Sequence, residues 1–127
     1  MAEVHMSKEV ATAPDVLWEK IGDFLGLDRW VVGIPPMESD DDGKVRRIGS
    51  GDNAIIEELV EQGERSYSYR IVQGPLPVKD YVSTLSVSPA GDGSLVEWKS
   101  TFEPSGVPEE QAVMIVQGIY SAGLANL

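Results

Sequence analysis

Residues 108–127 read PEEQAVMIVQGIYSAGLANL, and this stretch decides the fold. Pro108 suits the first turn of a helix, because the N–H it lacks would have no intrahelical partner there. Glu109 and Glu110 follow, where the helix dipole favours negative charge. No Lys or Arg occurs after Lys99. Ala112, Ile115, Val116, Ile119 and Gly123 recur at the spacing of one helical stripe, and Val113, Met114, Tyr120 and Leu124 widen it. The pattern predicts a helix over 108–127 that must be covered over much of its circumference.

Upstream, the residues from Val31 to Phe102 supply the cover. They alternate short apolar runs with turn signals at Asp41-Asp42-Gly43, Gln62-Gly63-Glu64 and Gly91-Asp92-Gly93. Strands are expected near 33–40, 44–49, 54–61, 66–73, 79–88 and 94–103. Their connections are short, so neighbours in sequence pair as an antiparallel meander. Residues 3–11 alternate as a further strand, with Val4, Met6 and Val10 on one face and Lys8 as a charged exception. Ala13-Pro14 stops that strand. Leu17, Trp18, Ile21 and Phe24 then follow at helical spacing, so residues 14–23 read as a helix, and a second helical turn fits 25–29. The order is β-α-α-β6-α, a curved seven-stranded antiparallel sheet wrapped around a long C-terminal helix. A helix touches a twisted sheet along only part of its length, which leaves space between them.

The chain has 127 residues, enough for one domain over 1–127. Its formal net charge is −11, and it has no basic stripe, which argues against nucleic acid and against anionic membrane surfaces. It contains no cysteine, so disulfides, thiolate ligands and cysteine nucleophiles are excluded together. Met1 to Val10 lacks the apolar core of a signal peptide, and no apolar run approaches the roughly 20 residues of a membrane span, so a cytoplasmic location is expected.

Several strings in this order resemble one family. Ala13-Pro14-Asp15-Val16-Leu17-Trp18 is similar to the segment that opens the first helix of polyketide cyclase/dehydrase-like proteins, members of the START/Bet v 1-like superfamily, also called SRPBCC. Asp23-Phe24 followed by Arg29-Trp30, Glu57-Glu58-Leu59, Tyr69-Arg70-Ile71 through Gly74-Pro75-Leu76-Pro77 to Tyr81, Glu97-Trp98 and the ending 123–127 also fit. The resemblance implies the helix-grip fold and a cavity between sheet and helix for a small hydrophobic or aromatic ligand. It does not transfer a reaction.

The same resemblance suggests site residues. Trp30 is placed at the cavity, where an indole offers a flat surface and one N–H donor; core packing explains it equally well. Glu57 shares a strand face with Ile55 and Leu59. Turned inward, it is a candidate general acid or base, and the superfamily's plant hormone receptors carry an acid at the similar position. Ile56 and Val60 make the opposite face just as apolar, so periodicity leaves open whether Glu57 or Glu58 points in. Alternation turns either Arg46 or Arg47 inward. Aromatic polyketide cyclases of the superfamily use an inward Arg and Tyr to polarise a carbonyl or enolate, a part open to Arg46 with Tyr69 or Tyr81; a solvated arginine is the alternative. The pairs Tyr69 with Ile71 and Tyr81 with Ser83 would supply the few polar anchors of an apolar pocket. Trp98, beside Val96 and Phe102, serves either core or ligand. Leu76 and Pro77 belong to a stiff loop that resembles a pocket-mouth loop of the hormone receptors, and Gly49–Asn53 lies where their other mouth loop lies. The two gate the ligand's passage or are ordinary turns. Ile115, Ile119 and Gly123 would face the ligand from the helix.

Other signals are set aside. Residues 49–54 match a dinucleotide-binding pattern, but Ile55 and Ile56 follow it and favour a strand, not a helix. His5 is the only histidine, too few for the usual zinc sites or a catalytic triad. The run Asp40–Asp42 lacks the spaced oxygens and closing Glu of a calcium loop. No metal and no cofactor are implied. Three functions compete: a carrier or sensor; a cyclase, dehydratase or lyase using Glu57, Arg46, Tyr69 and Tyr81; and a ligand-free interaction domain whose cavity is filled by Trp30, Trp98 and Met114. A dimer through the outer sheet face or edge strands is compatible with all three.

Overall fold

The computed structural model describes residues 1–127, the side chain of Asp41 excepted. The elements in chain order are β1 (Ala2–Val10), α1 (Pro14–Ile21), a 3-10 segment (Phe24–Arg29), β2 (Met37–Asp40), β3 (Val45–Ile48), β4 (Ile55–Gln62), β5 (Ser66–Gln73), β6 (Val78–Ala90), β7 (Gly93–Pro104) and α2 (Glu109–Leu124). The strands form one antiparallel sheet in the order β1-β7-β6-β5-β4-β3-β2. Strands β2 to β7 are a meander, and β1 closes against β7 from Ala2↔Phe102 to Val10↔Ser94. The helix-grip architecture expected from the element order is the one observed.

The pleat decides what faces α2. Tyr81, Ser83, Leu85 and Val87 of β6 are buried on the concave face, as are Val96, Trp98, Ser100 and Phe102 of β7. Ala2 and Val4 continue that face on β1. Lys8, the charged exception, is only half-buried, and its Nζ donates to the carbonyls of Leu124 at 3.1 Å and Leu127 at 2.7 Å. It supplies, from a distant strand, the positive charge that the last turn of α2 lacks.

Boundaries differ from expectation for local reasons. Strand β2 begins at Met37 because Pro35 and Pro36 cannot donate to a ladder and Gly33 takes a φ of +86°. Helix α1 stops at Ile21. A Cβ on Gly22 would lie 2.2 Å from the Trp18 ring, so that position requires glycine.

The face of α2 requires a correction. The buried residues are Ala112, Val116, Tyr120, Gly123 and Leu124. Ile115 is half-buried, Ile119 is 38% exposed and Met114 is 70% exposed. Two contacts set the rotation of the helix. Tyr120 stacks on Trp98 with centroids 4.3 Å apart and planes 13° from parallel. Gly123 sits so close that a Cβ there would lie 2.9 Å from Trp98 and 3.4 Å from Trp30.

Candidate functional site

The concave face carries its polar groups in two connected sets. The first lies on β3 and β4. Arg46 and Glu57 are cross-strand partners, and both side chains are buried. Arg46 Nε donates to Glu57 Oε1 at 2.7 Å, and Nη1 donates to the Phe24 carbonyl at 2.7 Å and, more weakly, to the Tyr67 hydroxyl at 3.4 Å. The guanidinium carbon lies 4.2 Å from the Phe24 ring centroid and 4.7 Å from that of Tyr69, within cation–π range. Burial alone would lower the pKa of Arg46; the Glu57 carboxylate, with Tyr67 and Tyr69, more than offsets this and holds it above the ordinary value. Arg46 is therefore a fixed cation. Its Nη2 is buried without a hydrogen-bond partner; so, at the α2 end of the face, are Ser100 Oγ and the Nε1 of Trp30, which packs against Trp98. Such donors cost roughly 1–3 kcal/mol each when left unmatched, and they are what the site offers an acceptor atom.

The second set runs across β5, β6, β7 and α2. Ser83 Oγ donates to the Lys99 carbonyl at 3.1 Å, so its single proton is committed. The contact of Ser83 Oγ with the Tyr120 hydroxyl at 2.8 Å is then a donation by Tyr120. Tyr81 in turn donates to Tyr120. Tyr69, 3.4 Å from Tyr81, has its proton directed there and accepts from Trp98 Nε1 at 3.1 Å. One proton per hydroxyl fixes the direction of the whole chain, from indole to backbone carbonyl. Burial pushes the Tyr81 phenol up, and raises Tyr69 and Tyr120 well above the ordinary value. Tyr67 also moves up by burial, against the opposing pull of Arg46. None of these phenols is a base at neutral pH; their free lone pairs accept.

A cleft of about 520 Å³ opens beside the first set. Pro36, Ile48, Gly49, Ile55 and Pro75 are among its walls. Ile48 pairs with Ile55 in the same ladder in which Arg46 pairs with Glu57. Two residues along a strand return to the same face, so the apolar floor of the cleft is the next rung to the ion pair. The loops at Gly49–Asn53 and Gly74–Pro77 both contribute walls, through Gly49, Ser50, Asn53 and Pro75, and a Cβ on Gly74 would lie 3.5 Å from Ile55.

Of the candidate residues, the concave face brings together Trp30, Arg46, Glu57, Tyr69, Tyr81, Ser83 and Trp98, all buried. Gly123 joins them from α2, while Ile71, Leu76, Pro77 and Ile115 are half-buried at the margins. Ile119 stands apart, on the exposed flank of the helix. Arg47, the alternative to Arg46, points outward toward Asp40. Glu58, the alternative to Glu57, pairs with Arg70 at 2.7 Å on the outer face. Phe24, Tyr67 and Tyr120 were not among the candidates. The alternation Tyr67-Ser68-Tyr69 could have flagged Tyr67, since it shares its strand face with Tyr69. Nothing local flags Tyr120, whose role depends on how the helix is rotated.

His5 bonds Glu97 at 2.8 Å on the outer face. Among the described residues no three His, Asp or Glu side chains gather to hold a metal ion, and the Asp41 part of the 40–42 run lies outside the described side chains. No described helix is long and apolar enough to cross a membrane.

Comparison with known proteins agrees with this architecture. The family model described as "Polyketide cyclase / dehydrase and lipid transport" matches residues 1–127. The solved structure of the protein XoxI from Bacillus cereus is similar at 38% identity and a TM-score of 0.93, over 99% of this chain and 92% of that one. A START superfamily protein from Mycobacterium smegmatis shares the fold at 19% identity and a TM-score of 0.77, over 97% and 91% of the two chains. Among curated proteins, MLP-like protein 423 of Arabidopsis thaliana is 25% identical over 116 residues, covering 79% of this chain and 75% of its own. The seven-stranded sheet gripping α2 is the fold shared with the START superfamily protein, and the family match over the whole chain assigns it to the polyketide cyclase/dehydrase and lipid transport family.

Proposed function

We propose that this protein binds a small hydrophobic or aromatic molecule carrying an acceptor oxygen, as a carrier or sensor. The ligand's apolar body lies in the cleft on Ile48 and Ile55, and its oxygen meets Arg46. One observation carries this reading: the apolar rung Ile48–Ile55 adjoins a buried cation whose Nη2 is unpartnered. Trp30 Nε1 is a second candidate donor, and Leu76 and Pro77 border the mouth. A single domain in the cytoplasm, with no cofactor, is part of the reading.

A cyclase- or lyase-type activity is the second reading. It is favoured by the burial of Arg46, Glu57, Tyr69 and Tyr81 on one face. It ranks lower because Glu57 is held by Arg46 and the three linked phenols have committed their protons. A ligand-free role is favoured by Trp30, Trp98 and Tyr120 packing the space under α2; the expected third filler, Met114, is solvent-facing instead.

Native mass spectrometry of natively purified protein tests the proposal, together with fluorescence titration by anilinonaphthalene sulfonate, an aromatic anion. The expected result is one saturable probe site, lost in Ile48→Glu. A bare protein mass combined with no saturable probe binding would overturn it. A bound mass recovered chemically changed would favour the enzyme.

A further inference from the structure

The buried ion pair next to the cleft is incomplete on both sides. Arg46 uses Nε on Glu57 Oε1, and Nη1 on the Phe24 carbonyl and the Tyr67 hydroxyl, which leaves Nη2. In a guanidinium, Nε–H and one N–H of Nη2 point the same way from one edge. That edge can hold both oxygens of a carboxylate at once, and here it holds one. Glu57 Oε2 has no hydrogen-bond partner among the described residues. A free donor and a free acceptor thus flank the one hydrogen bond that joins the pair.

Charge and valence decide what fits there. The pair is neutral as a whole. An anion added to it leaves a negative charge buried without a counter-ion, and a cation leaves a positive one. The rest of the protein opposes the anion as well. Net charge is −11, and among the described residues that line the cleft Glu38 alone is charged. A neutral group must then accept from Nη2 and donate to Oε2. A ketone, ester or ether only accepts, and it leaves the carboxylate oxygen unmatched. A hydroxyl does both through one atom. The Glu57 side chain keeps 9% exposure and that of Arg46 none, so an entering group meets the carboxylate first, and the carboxylate needs a proton donor. We propose that the ligand is an alcohol or phenol whose hydroxyl donates to Glu57 Oε2 and accepts from Arg46 Nη2. The proposal rests on the binding role given above and narrows it from any acceptor oxygen to a hydroxyl.

Four compounds with one ring system test this at neutral pH by displacing anilinonaphthalene sulfonate: naphthalene, 2-methoxynaphthalene, 2-naphthol and 2-naphthoate. Calorimetry on 2-naphthol gives a direct measure. 2-Naphthol should bind at least about tenfold more tightly than each of the others, because a site built around a hydroxyl rejects an analogue without one. In Glu57→Gln the amide can donate where the carboxylate accepted, so the advantage over 2-methoxynaphthalene should shrink to less than about twofold. The Arg46→Met/Glu57→Leu double variant removes both charges together. It should lose the hydroxyl preference and keep the ring affinity, with near-ultraviolet circular dichroism as the check on folding. Equal binding of 2-methoxynaphthalene and 2-naphthol to the wild type overturns the proposal in favour of a plain acceptor. Tighter binding of 2-naphthoate overturns it in favour of an anion. A hydroxyl preference that survives in the folded double variant overturns it by placing the anchor elsewhere. In all three cases the cleft still binds, and the role proposed above stands. No saturable binding of the probe or of any of the four compounds would remove that role and the hydroxyl with it.

Discussion

The two ends of the concave face bury polarity in opposite ways. At the β3–β4 end a full positive charge meets a full negative one, surrounded by rings, with donor capacity left over on Arg46 Nη2. At the β6–β7 end only neutral groups are buried; the tyrosine chain runs to completion at a backbone carbonyl, while Ser100 Oγ and the Nε1 of Trp30, which packs on Trp98, stay unpartnered. A buried ion pair is an expensive way to hold a fold together, often no better than apolar residues of the same volume. A completed neutral chain has no such cost and has no spare donor among its own members. The charged end is thus the one with a charged donor to give a ligand, the neutral end offers only the uncharged Ser100 Oγ and Trp30 Nε1, and it is the neutral end that fixes how α2 sits.

Alkali should distinguish a fold that depends on both ends from one that depends on the charges alone. All four tyrosines are buried, with pKa values above the ordinary 10.0. Below pH 10 the phenols are neutral in both folded and unfolded chains, so their contribution is whole. Above it the unfolded chain ionises while the folded one does not, and stability falls by about 1.4 kcal/mol per pH unit for each phenol. Tyrosinate absorbance should therefore rise in one cooperative step together with unfolding; a gradual titration near pH 10 in folded protein would contradict the burial. Next in size, Glu57→Ala or Arg46→Ala leaves an uncompensated buried charge and should cost about 3–5 kcal/mol in urea denaturation. The double variant Arg46→Met/Glu57→Leu should recover much of that loss. If it does not, the pair is worth more than its charges. At the neutral end, Gly123→Ala forces a methyl against Trp98 and should cost about 1–3 kcal/mol, with loss of the near-ultraviolet dichroism of the Trp98–Tyr120 stack. Lys8→Met should have the smallest effect, about 1 kcal/mol. It should appear mainly as faster hydrogen exchange in the last turn of α2.

The neutral end was harder to read in the sequence than the charged one. Turn glycines punctuate the strands, and Gly43 and Gly91 do take positive φ, so element order was legible. Arg46 alternates with Arg47 and Glu57 with Glu58, so the pattern left open which of each pair enters; the ladder that pairs Arg46 with Glu57 resolves both ambiguities at once. Helix α2 is apolar nearly all round, so its pattern contains little information about rotation. Ile115 and Ile119 were as plausible for the core as Tyr120. What selects Tyr120 is a phenol's fit to Ser83, Tyr81 and Trp98, three residues from two distant strands. Lys8 was visible as an exception but not explicable, because the carbonyls it reaches lie 116 and 119 residues downstream.

That separation bears on the order in which the chain can fold. Strand β1 is synthesised well before its ladder partner β7 and before the helix end that Lys8 ties down. Until Ser94 to Phe102 emerge, β1 has no strand to pair with and remains an open edge. The meander from β2 onward can pair with its neighbours as it emerges, but closing the sheet waits for its most distant contact, the kind that slows folding most. Molecules stalled before β7 would expose an unpaired β1, and this is where aggregation of the nascent protein should begin.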